Sequence, residues 1–335
     1  MPDVPILLII IVLVALVFDY TNGAHDSANA IASVVSTKVL SPKNAVIMAG
    51  TLNFAGAFLG TNVAETIGKG IVRPEMISGC HTLLLAALAG AIFWNFLTWY
   101  IGLPSSSSHA LIGGLMGAGI AYGGWRSLEY ASILHKVILP LFLSPISGFI
   151  AGYLFMLLLA WATVRVRFRT ANTVFKRSQV VAAALMALSH GMNDAQKTMG
   201  IIALALVVFH QIPTLTIPLW VKAACAAVIM VGTLNGGWKI IKTMGQKIFK
   251  MRPVHGFAAQ SATAGVIFTA SFFGAPISTT QVISSSVLGV GSSKRFSAVR
   301  WGVAGNMVIA WFVTIPAAAA VGALCMLLLR LFGLA

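Results

Sequence analysis

The chain is short of charge, and acidic residues are the scarcest of all. Only 9% of its 335 residues are charged, and seven are Asp or Glu against 22 Lys or Arg. A soluble domain of this size carries far more charge on its surface. Hydrophobic residues make up 58% of the chain, and the mean hydropathy is +0.92. The composition excludes a soluble globular protein and predicts an all-α polytopic membrane protein.

Cysteine is scarce as well. The three cysteines, Cys80, Cys225 and Cys325, are an odd number scattered through apolar segments. They show neither the spacing of metal ligands nor that of a disulfide framework. We therefore expect them to serve in packing, and the sequence predicts no cofactor.

The net charge of +15 would suit a partner that is nucleic acid or an anionic lipid surface. The basic residues lie in short connections between apolar segments, as in the cytoplasmic loops of membrane proteins. The main groups are Arg165, Arg167, Arg169, Lys176 and Arg177; Lys239, Lys242, Lys247, Lys250 and Arg252; and Lys294, Arg295 and Arg300. Because no basic domain with interleaved aromatics exists, the predicted partner is the lipid bilayer and not nucleic acid.

The apolar segments indicate about 10–12 membrane segments, since ~20 residues suffice for one crossing. They fall near 4–20, 24–37, 43–60, 80–101, 105–121, 132–162, 179–190, 194–210, 217–235, 256–273, 277–290 and 301–333. The predicted units are a first transmembrane repeat at 1–162, a basic cytoplasmic linker at 163–178 and a second repeat at 179–335. We expect Pro316 to bend or divide the last segment.

The two halves share sequence motifs, which indicates an internal duplication. NGAHDSANAIAS at 22–33 recurs as HGMNDAQKTMG at 190–200, and GTLN at 50–53 recurs at 232–235. GLPSSSSHALIGGLMGAG at 102–119 matches GAPISTTQVISSSVLGVG at 274–291. If each half crosses the membrane an odd number of times, the repeats are inverted and a transport site lies between them. The segments 105–121 and 277–290 are predicted to be re-entrant, with broken helices near the motifs.

Two segments rich in hydroxyl groups each follow a proline. They are Ser105, Ser106, Ser107 and Ser108 after Pro104, and Ser278, Thr279, Thr280 and Gln281 after Pro276. Proline in the first turn with hydroxyls at the cap is typical of a helix start. At mid-membrane, two such N-termini would bind a tetrahedral oxyanion through free N–H groups and positive dipole ends. The alternative is that Ser and Thr allow close helix packing.

Asp26 and Asp194 are carboxylates inside apolar segments, which is costly unless they are paired or functional. They would repel a dianion, but with the amide oxygens of Asn29 and Asn193 they suit Na⁺ or a proton. A cation bound there would favour anion binding, and that linkage is the basis of symport. The alternative is that the two aspartates cap broken helices.

The two motif copies differ at two places. His25 precedes Asp26 where Asn193 precedes Asp194, and Lys197 stands in the position of Asn29. A histidine side chain titrates near pH ~6.5 when unperturbed, so His25 could carry a coupling proton or be a fixed hydrogen-bonding group. Lys197 could contact the anion or form an internal ion pair. The polar residues His109, His190, Asp19 and Glu65 are weaker candidates.

On these motifs the chain resembles the inorganic phosphate transporter (PiT) family. GAHDSANA and SHGMNDAQKTMG resemble its two signatures, and WNFLTWYIGLPSSSSHALIG at 94–113 resembles its bacterial low-affinity branch. The resemblance implies a homodimeric inner-membrane symporter that binds phosphate between two hairpin tips. Members with Asn in place of His25 resemble Na⁺-coupled carriers, whereas the His-Asp branch resembles proton-coupled carriers of metal–phosphate complexes.

The leading hypothesis is therefore proton-coupled import of inorganic phosphate, with a metal–phosphate complex as a possible cargo. Na⁺ coupling, with Na⁺ held at Asp26, Asn29, Asn193 and Asp194, is the first alternative. A sulfate or other oxyanion permease and a passive anion channel are the others. An intramembrane enzyme is disfavoured, because no metal-ligand triad is evident in the sequence and the acids recur in related halves.

Overall fold

The computed structural model describes residues 5–68, 70–73 and 80–334. The first half of this part of the chain forms α1 (Ile6–Ser36), α2 (Pro42–Gly56), α3 (Asn62–Gly68), α4 (Thr82–Ile101), α5 (Ser107–Gly123) and α6 (Tyr130–Ala162). The second forms α7 (Phe168–Val208), α8 (Leu219–Asn235), α9 (Trp238–Lys247), α10 (Pro253–Phe272), α11 (Thr279–Lys294) and α12 (Trp301–Leu331). The predicted all-helical fold class is confirmed.

The helices of the second half follow the order of the first. Each half has a long helix that carries the acidic motif, two shorter helices, two arms of a hairpin and a long final helix. A short 3₁₀ turn precedes the final helix in both halves, at Trp125–Ser127 and Phe296–Ala298. The duplication in the sequence is thus matched element by element, while the inversion of one half relative to the other stays a prediction.

The halves interlock through their hairpins. The final helix α12 packs on α5 of the first half, and α6 packs on α11 of the second. Glycines allow these close approaches: a Cβ at Gly117 would overlap the carbonyl oxygen of Ala319, and one at Gly289 would overlap that of Phe149. Small residues at such crossings are typical of helix packing in membranes.

Four described helices are long and apolar enough to cross a bilayer: α1, α4, α6 and α12. The pair α8 and α9, bent by 60° at their junction, would make a fifth. This is fewer than the 10–12 predicted segments. The hairpin arms α5 and α11 have only 17 and 16 residues, and α7 carries too many polar residues to look like a lipid-facing span.

Several expected breaks are absent from the structure. The two segments predicted at 4–20 and 24–37 coincide, where the structure describes them, with the single helix α1 (Ile6–Ser36), and those at 179–190 and 194–210 coincide with the single helix α7, which ends at Val208. The acidic motifs therefore lie in unbroken helices, whose backbone bonds close internally. Pro316 lies inside α12 and does not divide it. Within the predicted linker 163–178, the helix α7 already begins at Phe168.

Candidate functional site

The acidic motifs of α1 and α7 meet the tips of both hairpins. Asp26 and Asp194 are each at most 2% exposed. Ser107 at the start of α5 donates to Asp26 Oδ2 at 3.5 Å, and Thr280 at the start of α11 donates to Asp26 Oδ1 at 3.1 Å. Thr279 donates to Asp194 Oδ2 at 3.2 Å. Four segments far apart in the chain thus converge on one polar cluster.

Each hairpin tip is built in the same way. Ser106 accepts from the His109 N–H at 3.3 Å and caps α5; Ser278 accepts from the Gln281 N–H at 3.3 Å and caps α11. The sequence predicted Pro104 and Pro276 in the first turn of each helix. Both lie three residues before the helix begins, so they fix the backbone that leads into the helix instead. The first N–H groups of a helix have no acceptor within it.

The two helix N-termini provide what an anion requires. The hydroxyl-bearing residues of the tips are Ser105, Ser106, Ser107, Ser108, Ser278, Thr279 and Thr280, and with Gln281 all are buried. Backbone N–H groups and the positive end of the helix dipole attract anions without an arginine. The side chain of Gln281 is buried, and neither its oxygen nor its nitrogen makes a hydrogen bond. Its amide could therefore bond to a ligand at the N-terminus of α11.

His25 connects Asp26 to the first hairpin. Its Nδ1 lies 2.7 Å from Asp26 Oδ1, so this nitrogen donates to the carboxylate. Its Nε2 lies 3.2 Å from Thr98 Oγ1 and 3.3 Å from Ser105 Oγ. Ser105 Oγ also lies 2.9 Å from Thr98 Oγ1, so its single O–H can donate either to Thr98 or to the lone pair of His25 Nε2. A continuous hydrogen-bonded chain therefore runs from the tip of the first hairpin through an imidazole to the carboxylate.

Lys197 is paired inside the protein. Its Nζ donates to Asp194 Oδ1 at 2.6 Å, to the Ser108 hydroxyl, and to the carbonyl oxygen of Ile277 at 3.4 Å. At the corresponding place in the first half, Asn29 Nδ2 donates to Thr280 Oγ1 at 3.0 Å. Of the two roles open to Lys197, the structure shows the internal ion pair.

His190 lies between the two aspartates. Its Nε2 is 3.4 Å from Asp194 Oδ2 and 3.9 Å from Asp26 Oδ2. Its Nδ1 lies 3.2 Å from Asn53 Oδ1, and since an amide oxygen only accepts, Nδ1 carries the hydrogen. In the neutral ring Nε2 presents a lone pair towards both carboxylates and makes no hydrogen bond, whereas in the protonated ring this nitrogen carries an N–H and forms an ion pair with both acids. These three ligand atoms lie within 4.8 Å of one another, close enough to hold one metal ion.

Other candidates lie outside this cluster. Asn193 turns away and donates to Ser271 Oγ at 2.8 Å, and Gln196 accepts from the N–H groups of Val63 and Ala64 at the start of α3. Asp19 accepts from Thr198 at 2.9 Å. Glu65 is only half-buried and lies 3.5 Å from the Thr61 hydroxyl. The described contacts give these residues structural partners.

Two contributors had no sequence signal strong enough to find them. Thr98 lies in an apolar helix and its partnership with His25 depends on the packing of α4 against α1. Asn53 belongs to the repeated GTLN segment, which marked the duplication but not a role. Its Nδ2 donates to Thr233 at 2.8 Å, so its oxygen is turned towards His190.

Known proteins resemble the chain over nearly its whole length. The model of the phosphate transporter family matches residues 22–322. A probable low-affinity inorganic phosphate transporter of Bacillus subtilis is 48% identical over 332 residues, which cover 97% of this chain and 98% of that protein. One from Rhizobium meliloti is 48% identical over 321 residues and 95% of each chain. A solved structure, the sodium-dependent phosphate transporter, has a TM-score of 0.81 at 26% identity and covers 97% of this chain and 99% of its own.

Proposed function

Since the chain belongs to the phosphate transporter family, a family of multi-pass membrane transporters and not of enzymes, we propose that it imports inorganic phosphate by proton symport. The observation that carries the proposal is the meeting of two helix N-termini with two buried carboxylates. The N-termini supply donors for phosphate oxygens. The carboxylates would repel the anion unless a cation accompanied it, and that requirement couples the two fluxes.

The hydrogen-bonded chain through His25 supports the proton as the coupling ion. A proton taken up by His25 would neutralise the charge of Asp26 without leaving the chain of hydrogen bonds to Thr98 and Ser105. Histidine is the side chain whose charge changes most readily near neutral pH. Return of the proton on the cytoplasmic side would restore the negative charge and help expel the phosphate.

Na⁺ coupling is the main alternative within this architecture. The structurally similar protein is described as sodium-dependent, and Asn29 Oδ1 is a buried oxygen without a hydrogen-bond donor. With Asp26 it would offer two hard oxygen ligands. Asn193 instead donates to Ser271 and is a weaker candidate for a Na⁺ ligand. A sulfate permease would share the same helix N-termini but has no use for acceptors that recognise a protonated phosphate oxygen.

The cargo could also be a metal–phosphate complex. Asp26, His190 and Asp194 offer one nitrogen and two oxygens around a single point, and His190 is oriented by Asn53 as metal-binding histidines usually are by an outer partner. Such a mixed donor set suits Mn²⁺, Co²⁺ or Zn²⁺ better than Mg²⁺ or Ca²⁺, which prefer oxygen alone. A divalent cation on these residues would leave its open positions to phosphate.

The proposed setting is a homodimer in the inner membrane, with inverted repeats at 1–162 and 179–335 and the basic segment 163–178 in the cytoplasm. The basic residues of that segment and of the turns after α9 and α11 support this orientation. Cysteine accessibility at 170 and 294 in intact cells and in inverted vesicles would check it.

The decisive experiment is radiolabelled phosphate uptake into proteoliposomes under an imposed proton or Na⁺ gradient, with unlabelled sulfate as competitor. We expect saturable uptake driven by the proton gradient and insensitive to sulfate. Sodium-driven uptake would overturn proton coupling but not phosphate transport. Non-saturating flux without any gradient would favour a channel. Adding Mn²⁺ or Mg²⁺ in turn would show whether a metal travels with the phosphate.

A further inference from the structure

The repeats place unlike residues at equivalent positions around the two acids. In the first half, Asn29 Nδ2 reaches Thr280 in the second hairpin, and Thr280 reaches Asp26. In the second half, Lys197 Nζ reaches Ser108 in the first hairpin and also Asp194. Thr280 and Ser108 are themselves equivalent in the hairpin repeat. A neutral amide in one half thus corresponds to a full positive charge in the other.

The ammonium group of Lys197 is fully occupied by protein oxygens. It has three N–H donors and three oxygen partners: a carboxylate, a hydroxyl and the backbone carbonyl of Ile277. The whole residue is 1% exposed. A carboxylate, a hydroxyl and a carbonyl around a cation are the kinds of ligand that hold Na⁺ or Ca²⁺ in proteins. No donor of Lys197 is left over for a substrate.

We propose that Lys197 is a tethered cation, which permanently occupies the position that a coupling cation would otherwise take beside Asp194. The inference rests on the proposed symport and deepens it, because it specifies where a mobile ion is required. With His190 neutral, Lys197 neutralises Asp194 and Asp26 is the acid that needs an ion from outside. The number of ions moved per phosphate is then one lower than a site with two free acids would demand.

The physical reason is the cost of a buried charge. Two unpaired carboxylates in a sealed site would each require neutralisation before an anion could enter. Lys197 lies three residues after Asp194 on the same helix. It therefore supplies one positive charge without the entropy cost of binding a free ion. Unlike a solute ion, it cannot leave, so it contributes to anion binding but not to the driving force.

The test replaces Lys197 by the residue that stands at its repeat position. The variant Lys197→Asn should bind one more Na⁺ per chain than the wild type, measured with ²²Na⁺ on purified protein. Its phosphate uptake should rise about tenfold between ~1 and ~100 mM Na⁺, as a single site half-saturated near ~10 mM would give. The wild type should show no such rise attributable to this site.

The double variant Asp194→Asn with Lys197→Asn is the matched control. It removes both charges of the pair, so it should fold and bind no additional Na⁺. A folded Lys197→Asn variant with the wild-type Na⁺ count overturns the inference. Failure of that variant to fold in NaCl also overturns it, because Na⁺ then does not replace the ammonium. Na⁺ counting needs no transport, so it remains decisive even if wild-type proteoliposomes take up no phosphate.

Discussion

In the first half of the molecule Asp26 has His25 and two hydroxyls as hydrogen-bond partners, whereas in the second half Asp194 has Lys197 and one hydroxyl; His190 lies between the two acids. The scaffolds around them are alike: each acid lies in the middle of a long helix and accepts a hydroxyl from the hairpin of its own half. The difference lies in the charge of the partner. The duplication supplies the geometry of the site, and the divergence of a few side chains assigns the two halves different electrostatic roles.

The divergence also extends to the residue before each acid. His25 donates to Asp26 and reaches Thr98, but Asn193 turns to Ser271 and leaves Asp194 to Lys197. One acid therefore sits in a chain of groups that can exchange a proton, and the other in a fixed ion pair. In the proposed mechanism the first half senses the coupling ion and the second half holds a constant charge.

Removing each acid should give the largest and the most different effects. Asp26→Asn removes the proposed binding site of the mobile ion, so gradient-driven uptake should fall by about 100-fold, near the upper end of the coupling between two bound ligands. The protein should stay folded. Asp194→Asn leaves Lys197 charged and unpaired in the interior, which costs about 3–5 kcal/mol.

Uptake assays and thermal unfolding in detergent would separate these outcomes. Glu65→Gln is the control, since Glu65 is half-buried and outside the cluster. If Asp194→Asn were as stable as the wild type, the fixed ion pair would be a wrong description of the second half.

The interlocking of the halves should respond equally to substitution on either side. Gly117→Ala and Gly289→Ala each place a methyl group against the backbone of the other half's final helix, so each should destabilise the fold by about 1–3 kcal/mol. The controls Gly265→Ala and Gly305→Ala add a methyl group where nothing lies within 4 Å. They should be neutral or slightly stabilising, because alanine favours a helix. Unequal losses at the two crossings, read from thermal unfolding, would show that the interlock is not symmetric.

The sequence predicted the parts of the site that are repeated. Hydroxyls behind a proline in both halves indicated the hairpin tips, and an Asp in both motifs indicated the acids, because a residue pattern found twice is unlikely to be accidental. The expectation of broken helices at the motifs was wrong. Nothing in NGAHDSANAIAS disfavours a helix strongly, and the hairpins reach Asp26 and Asn29 without opening the backbone of the helix.

Contacts that depend on tertiary packing could not be predicted from the sequence. Whether Lys197 meets an anion or Asp194 depends on side-chain direction along α7, and the Thr98 contact depends on how α4 packs against α1. Such facts follow from tertiary packing, which a pattern of local residues does not encode. The inversion of the halves and the roles of the site residues remain predictions.

His25→Asn would make the two motifs more alike, with an Asn before each acid. We expect uptake at pH 6 to 8 to lose most of its pH dependence, because the imidazole that connects Ser105 to Asp26 is gone. The measurement is the initial rate of phosphate uptake across that range. His210→Asn serves as control, since His210 is exposed and Asn tolerates its positive φ of 56°. An unchanged pH profile in His25→Asn would remove this histidine from the coupling pathway.

The smallest difference between the halves should appear at two helix starts that the motifs cap. Ser27 Oγ accepts from the Gly237 N–H at 2.7 Å, whereas Gln196 Oε1 accepts from two N–H groups, those of Val63 and Ala64, at 2.8 and 3.2 Å. Each lost acceptor leaves a buried donor unsatisfied.

Ser27→Ala should therefore cost about 1 kcal/mol, as loss of a helix cap typically does, and Gln196→Leu should cost about twice as much because two donors lose their acceptor. Both substitutions change the stability of the fold and leave the pH and Na⁺ dependence of uptake as it was. Thermal unfolding ranks the two variants, and uptake at saturating phosphate tests the second expectation. A larger loss of stability in Ser27→Ala than in Gln196→Leu would mean that the start of α9 depends on its motif more than the start of α3 does. The two halves would then differ in the hydrogen bonds that cap these helices as well as in their charges.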